Sequence, residues 1–138
     1  MRITKVLLSL ACCFAFISQA AAQRKDLARF KDSVQQASRQ YLKEMAFCGC
    51  LKGALGTKVL FEDDISGSIY FDLAGYPPDV VMAVDSLSKE VGRAIKPTQI
   101  ADYGDKKPIT FRCFEWYKSS ALDSLVKRYD DKVFYPEW

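Results

Sequence analysis

A small all-α, single-domain bundle of about four helices with one disulfide is the fold class this sequence predicts, and three observations carry that reading. Apolar residues recur at three- and four-residue steps along most of the chain. Strand-like alternation and hairpin turn signals are missing. Cysteines persist in a chain marked for export, where thiols tend to pair.

The export mark is the opening "MRITKVLLSLACCFAFISQAAAQ". Arg2 and Lys5 precede an apolar run from Val6 to Ile17, and Ala20, Ala21 and Ala22 follow as a cleavage site, which together make a secretory signal peptide over residues 1–22. The run is shorter than the roughly 20 residues that span a bilayer, so the expected product is an exported domain over residues 23–138 with no membrane span. Cys12 and Cys13 lie inside the run rather than closing it, which argues against lipid anchoring. Arg2 and Lys5 leave with the leader, so a net charge of +3 falls close to neutral and points away from nucleic acid.

The first helix is expected from Asp26 to about Leu55, with Leu27, Phe30, Val34, Ala37, Tyr41, Met45 and Cys48 as its apolar stripe. Its end, "MAFCGCLKGAL", is apolar on every side and should be buried. Gly49 and Gly53 weaken it intrinsically but allow another element to come close, and Gly56 is a plausible stop. A second helix opens at Asp63 or Asp64 and carries Ile65, Ile69, Tyr70 and Leu73 as its stripe. The third starts at Pro78 or Asp79, turns Val80 or Val81, Val84, Leu87, Val91 and Ile95 inward, and ends before Pro97. Residues 96–110, with two prolines and a glycine, read as a long surface loop of the kind that often binds. The last helix runs from about Ile109 to Tyr129, with Phe111, Phe114, Ala121, Leu122, Leu125 and Tyr129 on one face. The aromatic tail "KVFYPEW" packs back on the bundle.

Histidine is absent from the whole sequence. That removes most triads, cysteine–histidine dyads and histidine-bearing metal sites, so neither a metal, a cofactor nor an enzymatic activity is expected. Without a histidine to activate it, Cys113 is a poor nucleophile. Asp63 and Asp64 read as a helix cap and Asp130 and Asp131 as a solvated helix end rather than as acid pairs. Glu115 beside Trp116 and Tyr117 lacks a second group to work with. Of the three cysteines beyond the leader, Cys48 falls in the middle of the first helix's stripe and Cys50 well off it, which leaves both open as partners of Cys113.

Three segments carry a family resemblance: "YLKEMAFCGCLKGAL", "SIYFDLAGYPPDVVMAVDSL" and "FRCFEWYKSSALDSLVKRY". Together they resemble the amidase immunity proteins of type VI secretion systems. In that family a tyrosine opens a segment ending in Cys-Leu, as Tyr41 and Cys50-Leu51 do here. A cysteine, a tyrosine and a serine then precede a leucine-rich helix ending in Lys-x-Tyr, an order matched by Cys113, Tyr117, Ser119, Leu122, Leu125 and Tyr129. Cys48 is an extra cysteine relative to that pattern. The resemblance implies a disulfide between Cys50 and Cys113, which would close a loop of some sixty residues and stabilise the fold by about 4 kcal/mol. It also implies a periplasmic, all-helical protein that silences a secreted peptidoglycan amidase, itself armed with cysteine and histidine, so the inhibitor needs no catalytic group.

Such proteins often work as homodimers that put a protruding loop into the amidase groove. Here Asp102, Tyr103, Asp105, Lys106 and Lys107 are the candidate partner-binding residues, because exposed aromatic and charged groups suit a steered interface. The connection 56–64, with Phe61 as an anchor, is the second candidate. A rival from another class is an exported helical carrier of a small hydrophobic ligand.

Overall fold

A computed structural model describes the backbone of residues 2–56 and 64–135, and side chains from Gln23 onward. Those residues form five α-helices and no strand: α1 (Arg2–Leu55), α2 (Ser66–Leu73), α3 (Pro78–Arg93), α4 (Ile109–Tyr117) and α5 (Ser120–Lys127). Single 3₁₀ turns stand at Ala101–Tyr103 and Asp130–Lys132. The chain divides into two compact units, Met1–Val34 and Gln35–Trp138. In the first, side chains 23–29 are exposed and Asp26 pairs with Arg29 at 3.8 Å. Among the described residues no helix is long and apolar enough to cross a membrane.

The second unit contains the core. Among the described residues, Leu42, Val80, Val81, Val84, Leu122 and Val126 are its largest fully buried aliphatic side chains. Among the described side chains of α1 the buried positions are Ser38, Leu42, Met45, Ala46, Gly49 and Cys50. The expected stripe was therefore placed too far round the helix: Leu27 is 48% exposed, Ala37 is exposed, and Tyr41 and Cys48 are only half-buried. The choice of face follows from contact with α3, which presses on the glycines. A Cβ on Gly53 would lie 2.1 Å from the Lys89 carbonyl oxygen, and one on Gly92 2.0 Å from that of Cys50. No side chain fits there, so the two backbones meet directly. Helix α3 obeys its sequence boundaries, with Pro78 in its first turn and Arg93 in its last. Its inward face uses Ser88 and Gly92, whereas Leu87 is 38% exposed.

Helix α2 has Ile65 at its N-cap with no side-chain capping bond; one residue earlier, Asp64 Oδ1 accepts the Ser66 N–H at 2.9 Å, and hydrogen bonds from the Ser66 hydroxyl and amide hold the Asp64 carboxyl below the usual range. Asp63 and the candidate anchor Phe61 lie outside the described residues. The apolar stripe expected to face inward instead faces out, with Ile65, Ile69 and Leu73 at 67%, 47% and 49% exposure. No residue of α2 is fully buried; Gly67, Ser68 and Phe71 line a hollow shared with Met45 and Gly49 of α1.

The expected last helix is two helices, because Ser119 interrupts it. Its backbone is extended (φ −72°, ψ 145°), its Oγ accepts the Leu122 N–H at 3.1 Å, and it donates to the Trp116 carbonyl at 2.7 Å. An N-cap of this kind is worth about 1 kcal/mol. The break separates the faces: Leu122, Leu125 and Val126 are buried, while Phe111, Phe114 and Ala121 are exposed. Asp130 is not a free solvated helix end but takes a two-point ion pair from Arg39, with Nε at 2.6 Å, and this pair raises the Arg39 pKa. Lys43 pairs with Asp123 at 2.6 Å. In the tail, Val133 is buried and the Phe134 N–H donates to the Gly75 carbonyl at 2.8 Å.

Cys50 and Cys113 are joined by a disulfide, with sulfurs 2.09 Å and Cα atoms 5.6 Å apart, across 63 residues of sequence. Both are fully buried, packed with Ile95 beneath Phe47, Ile109 and Trp116. Replacing both cysteines by alanine is expected to lower the unfolding free energy by about 3–4 kcal/mol in urea denaturation. Gly92→Ala should cost about 3 kcal/mol or more, because neither carbonyl nor helix can retreat without opening the core.

Candidate functional site

The loop expected between the third and last helices is built as a folded turn. It leaves the core at Ile95 and returns at Ile109, both packed around the disulfide. Between them the Thr98 N–H donates to the Lys106 carbonyl at 2.9 Å, closing the base. The Tyr103 N–H to Ile100 carbonyl bond (3.1 Å) and the Gly104 N–H to Ala101 carbonyl bond (3.3 Å) form the tip. Gly104 takes φ +55°, a conformation that side-chain-bearing residues rarely adopt. Asp102, Tyr103, Asp105, Lys106 and Lys107 all stand exposed on this one turn, with Tyr103 at 57%. Two acids and two bases cancel, so the turn presents an aromatic ring in a charged but neutral setting.

Two hollows adjoin it. A shallow one of about 270 Å³ lies against Ile100, Tyr103, Lys106 and Pro108. A larger cleft of about 880 Å³ is lined by Val91, Ile95, Lys96, Arg112, Glu115 and Trp116, and Thr98 and Pro108 border both. Trp116 is fixed as a cleft wall by its Nε1–H, which donates to Ser88 Oγ at 3.2 Å, while the Ser88 hydroxyl donates to the Val84 carbonyl at 2.8 Å. Glu115, considered as an acid, is instead paired with Arg112 at 2.8 Å on the rim. Sequence reasoning did not single out this cleft. The only hint was spacing: Trp116 follows Cys113 by three residues, which on a helix places it beside whatever Cys113 bonds.

Cys113 is consumed in the disulfide. Among the described residues no group of three or more cysteine, aspartate or glutamate side chains is placed to hold a metal ion.

Compared with known proteins, residues 40–126 match the Tai4 family model, described as type VI secretion system (T6SS), amidase immunity protein. That span includes both bonded cysteines, the whole turn and both walls of the cleft. No curated protein and no solved structure matches the chain.

Among the described side chains the remaining thiol is that of Cys48, free and half-buried at a cleft shared with Met45 and Phe71. Burial, with Asp64 and Glu44 adding negative charge, pushes its pKa up to about 11 from 9.0. A raised thiol pKa means less thiolate at neutral pH. Alkylation of Cys48 by iodoacetamide at pH 8 is therefore expected to run about a hundredfold slower than that of an unperturbed cysteine, rising about tenfold per pH unit until near its pKa. Peptide mapping after timed labelling reads this directly.

Proposed function

The chain belongs to the type VI secretion system amidase immunity family, and from that premise we propose that it binds a secreted peptidoglycan amidase in the periplasm and covers its catalytic cleft. Inhibition is steric. The protein is exported by the signal peptide at residues 1–22, and residues 23–138 are the working domain. The observation that carries this reading is the family match over residues 40–126, which spans nearly the whole of the disulfide-tied unit. An oxidising compartment is where such a disulfide persists.

In this reading Tyr103 is the anchor and Asp102, Asp105, Lys106 and Lys107 orient and steer the approach. A rigid turn suits the task, since its backbone bonds and its base on the disulfide leave little ordering to be done on binding. Tight complexes of this kind bury about 1,200–2,000 Å² in total, an area that one protomer supplies alone or a homodimer shares.

Titrating the purified protein into the amidase, with peptidoglycan cleavage and complex mass followed together, tests the proposal. Cleavage should disappear at a fixed stoichiometry, and the mass tells whether one or two copies bind. Undiminished cleavage with no complex would remove the inhibitor reading. Tyr103→Ala is expected to weaken the complex about tenfold or more, and Lys106→Ala with Lys107→Ala to slow association and flatten its salt dependence. Unchanged affinity and rates in these variants would move the contact away from the turn.

A further inference from the structure

Among α1, α2 and α4 lies a small hollow of about 160 Å³, separate from the turn and its cleft, lined by Glu44, Phe47, Tyr70, Phe114 and Tyr117. Among the described residues, its lining is four aromatic rings and one carboxylate. Phe114 and Tyr117 are stacked, their planes within 11° and their centroids 5.8 Å apart. Phe47 stands almost upright to both, at 79° and 72°, with centroids 6.3 and 6.2 Å away. The rings thus form a corner rather than a flat patch.

The carboxylate is held at that corner. Gln40 Nε2 donates to Glu44 Oε1 and to the Tyr117 hydroxyl oxygen, each at 2.7 Å, and so ties the acid to the rim. Glu44 makes no ion pair among the described residues. Its field is felt nearby: Glu44 is the foremost cause raising the Tyr70 phenol pKa. Lys118 and Lys43 already sit against the rings, with Nζ 4.0 Å from the Phe114 centroid and 5.0 Å from the Tyr117 centroid. Neither lines the hollow, and Lys43 is occupied by Asp123.

We propose that this corner is a cation cage that receives the guanidinium or ammonium end of a side chain presented by a protein partner. Aromatic faces carry negative electrostatic potential and attract cations, most strongly where water is excluded. An anion would be repelled by Glu44, and an apolar group would strip water from the carboxylate without replacing its partners. A cation satisfies both parts of the lining at once, and better than a neutral donor does. The partner is a protein because the hollow opens to solvent at Phe114, a lining ring that is itself 47% exposed, so a side chain carried on another surface can enter while its surroundings exclude water.

Resting on the function proposed above, that partner is the amidase. Helix α4 begins directly after the binding turn and carries Phe114 and Tyr117 in its later part, so one partner can engage both.

Two measurements test it. In the first, ring resonances of the purified protein are followed by NMR during titration with N-acetyl-arginine methylamide and, separately, with its neutral citrulline counterpart. Saturable shifts at Tyr70, Phe114 and Tyr117 are expected for the arginine compound, with about tenfold weaker binding for citrulline and for Glu44→Gln. Equal binding of the two compounds, or no saturation with arginine, overturns the cage. In the second, Glu44→Gln and Phe114→Leu are expected to weaken amidase binding about tenfold, with thermal midpoints checked to be those of the parent. Unchanged affinity there overturns the assignment to the amidase. Should the parent protein itself fail to bind amidase, the inhibitor reading falls alone, and the arginine titration still decides the cage.

Discussion

The Cys50–Cys113 disulfide is the contact on which the described structure depends. It joins the buried end of α1 to α4 across 63 residues, and in the chain-entropy picture a loop of that size contributes about 4 kcal/mol. For a unit of this length that is a large part of a total stability of about 5–15 kcal/mol. Its position matters as much as its strength. Ile95 and Ile109, where the turn over residues 96–108 departs and returns, both pack against it, and Trp116 closes the neighbouring cleft from the same cluster. The crosslink therefore sets the base of the surface that the proposed function uses.

Close approach of α1 and α3 is the second constraint, and it is written in glycine. Gly53 and Gly92 bring each helix's backbone onto a carbonyl of the other, so a single methyl group has nowhere to go. This seam is what turns Ser38, Leu42, Met45 and Cys50 inward and leaves Cys48 at the edge with a depressed tendency to ionise. Salt bridges then tie α1 to the end of the chain through Arg39 with Asp130 and Lys43 with Asp123. Partly exposed pairs of this kind add modestly to stability and more to register.

Helix α4 is short because Ser119 ends its run, and that interruption is what makes a surface out of it. A continuous helix through Tyr129 would have put Phe111 and Phe114 in line with Leu122 and Leu125. The break lets α5 bury its own leucines while α4 shows aromatic rings to solvent. The turn before α4 and the ring corner along it are then two separate features, and one residue of each, Ile109 and Phe47, packs against the disulfide cluster.

From the sequence by itself followed the all-helical class, the limits of α3 between Pro78 and Pro97, the value of Gly49 and Gly53 as points of approach, and the family resemblance. These are local properties: periodicity, proline geometry and backbone permissiveness act within a few residues. Which face of each helix is buried was decided only in three dimensions. Ile65, Ile69, Leu73, Phe111 and Phe114 are as apolar as true core residues, and only the place of neighbouring helices leaves them outside. The Ser119 break had a readable signal, a serine before an apolar run with Asp123 in the first turn, which the strong stripe around it overrode. The five residues of the turn were legible as an exposed set because prolines and charges exclude them from a core. Glu44, Phe47, Tyr70, Phe114 and Tyr117 come from three separate segments, and no spacing within any one of them foretells a meeting that tertiary packing alone creates.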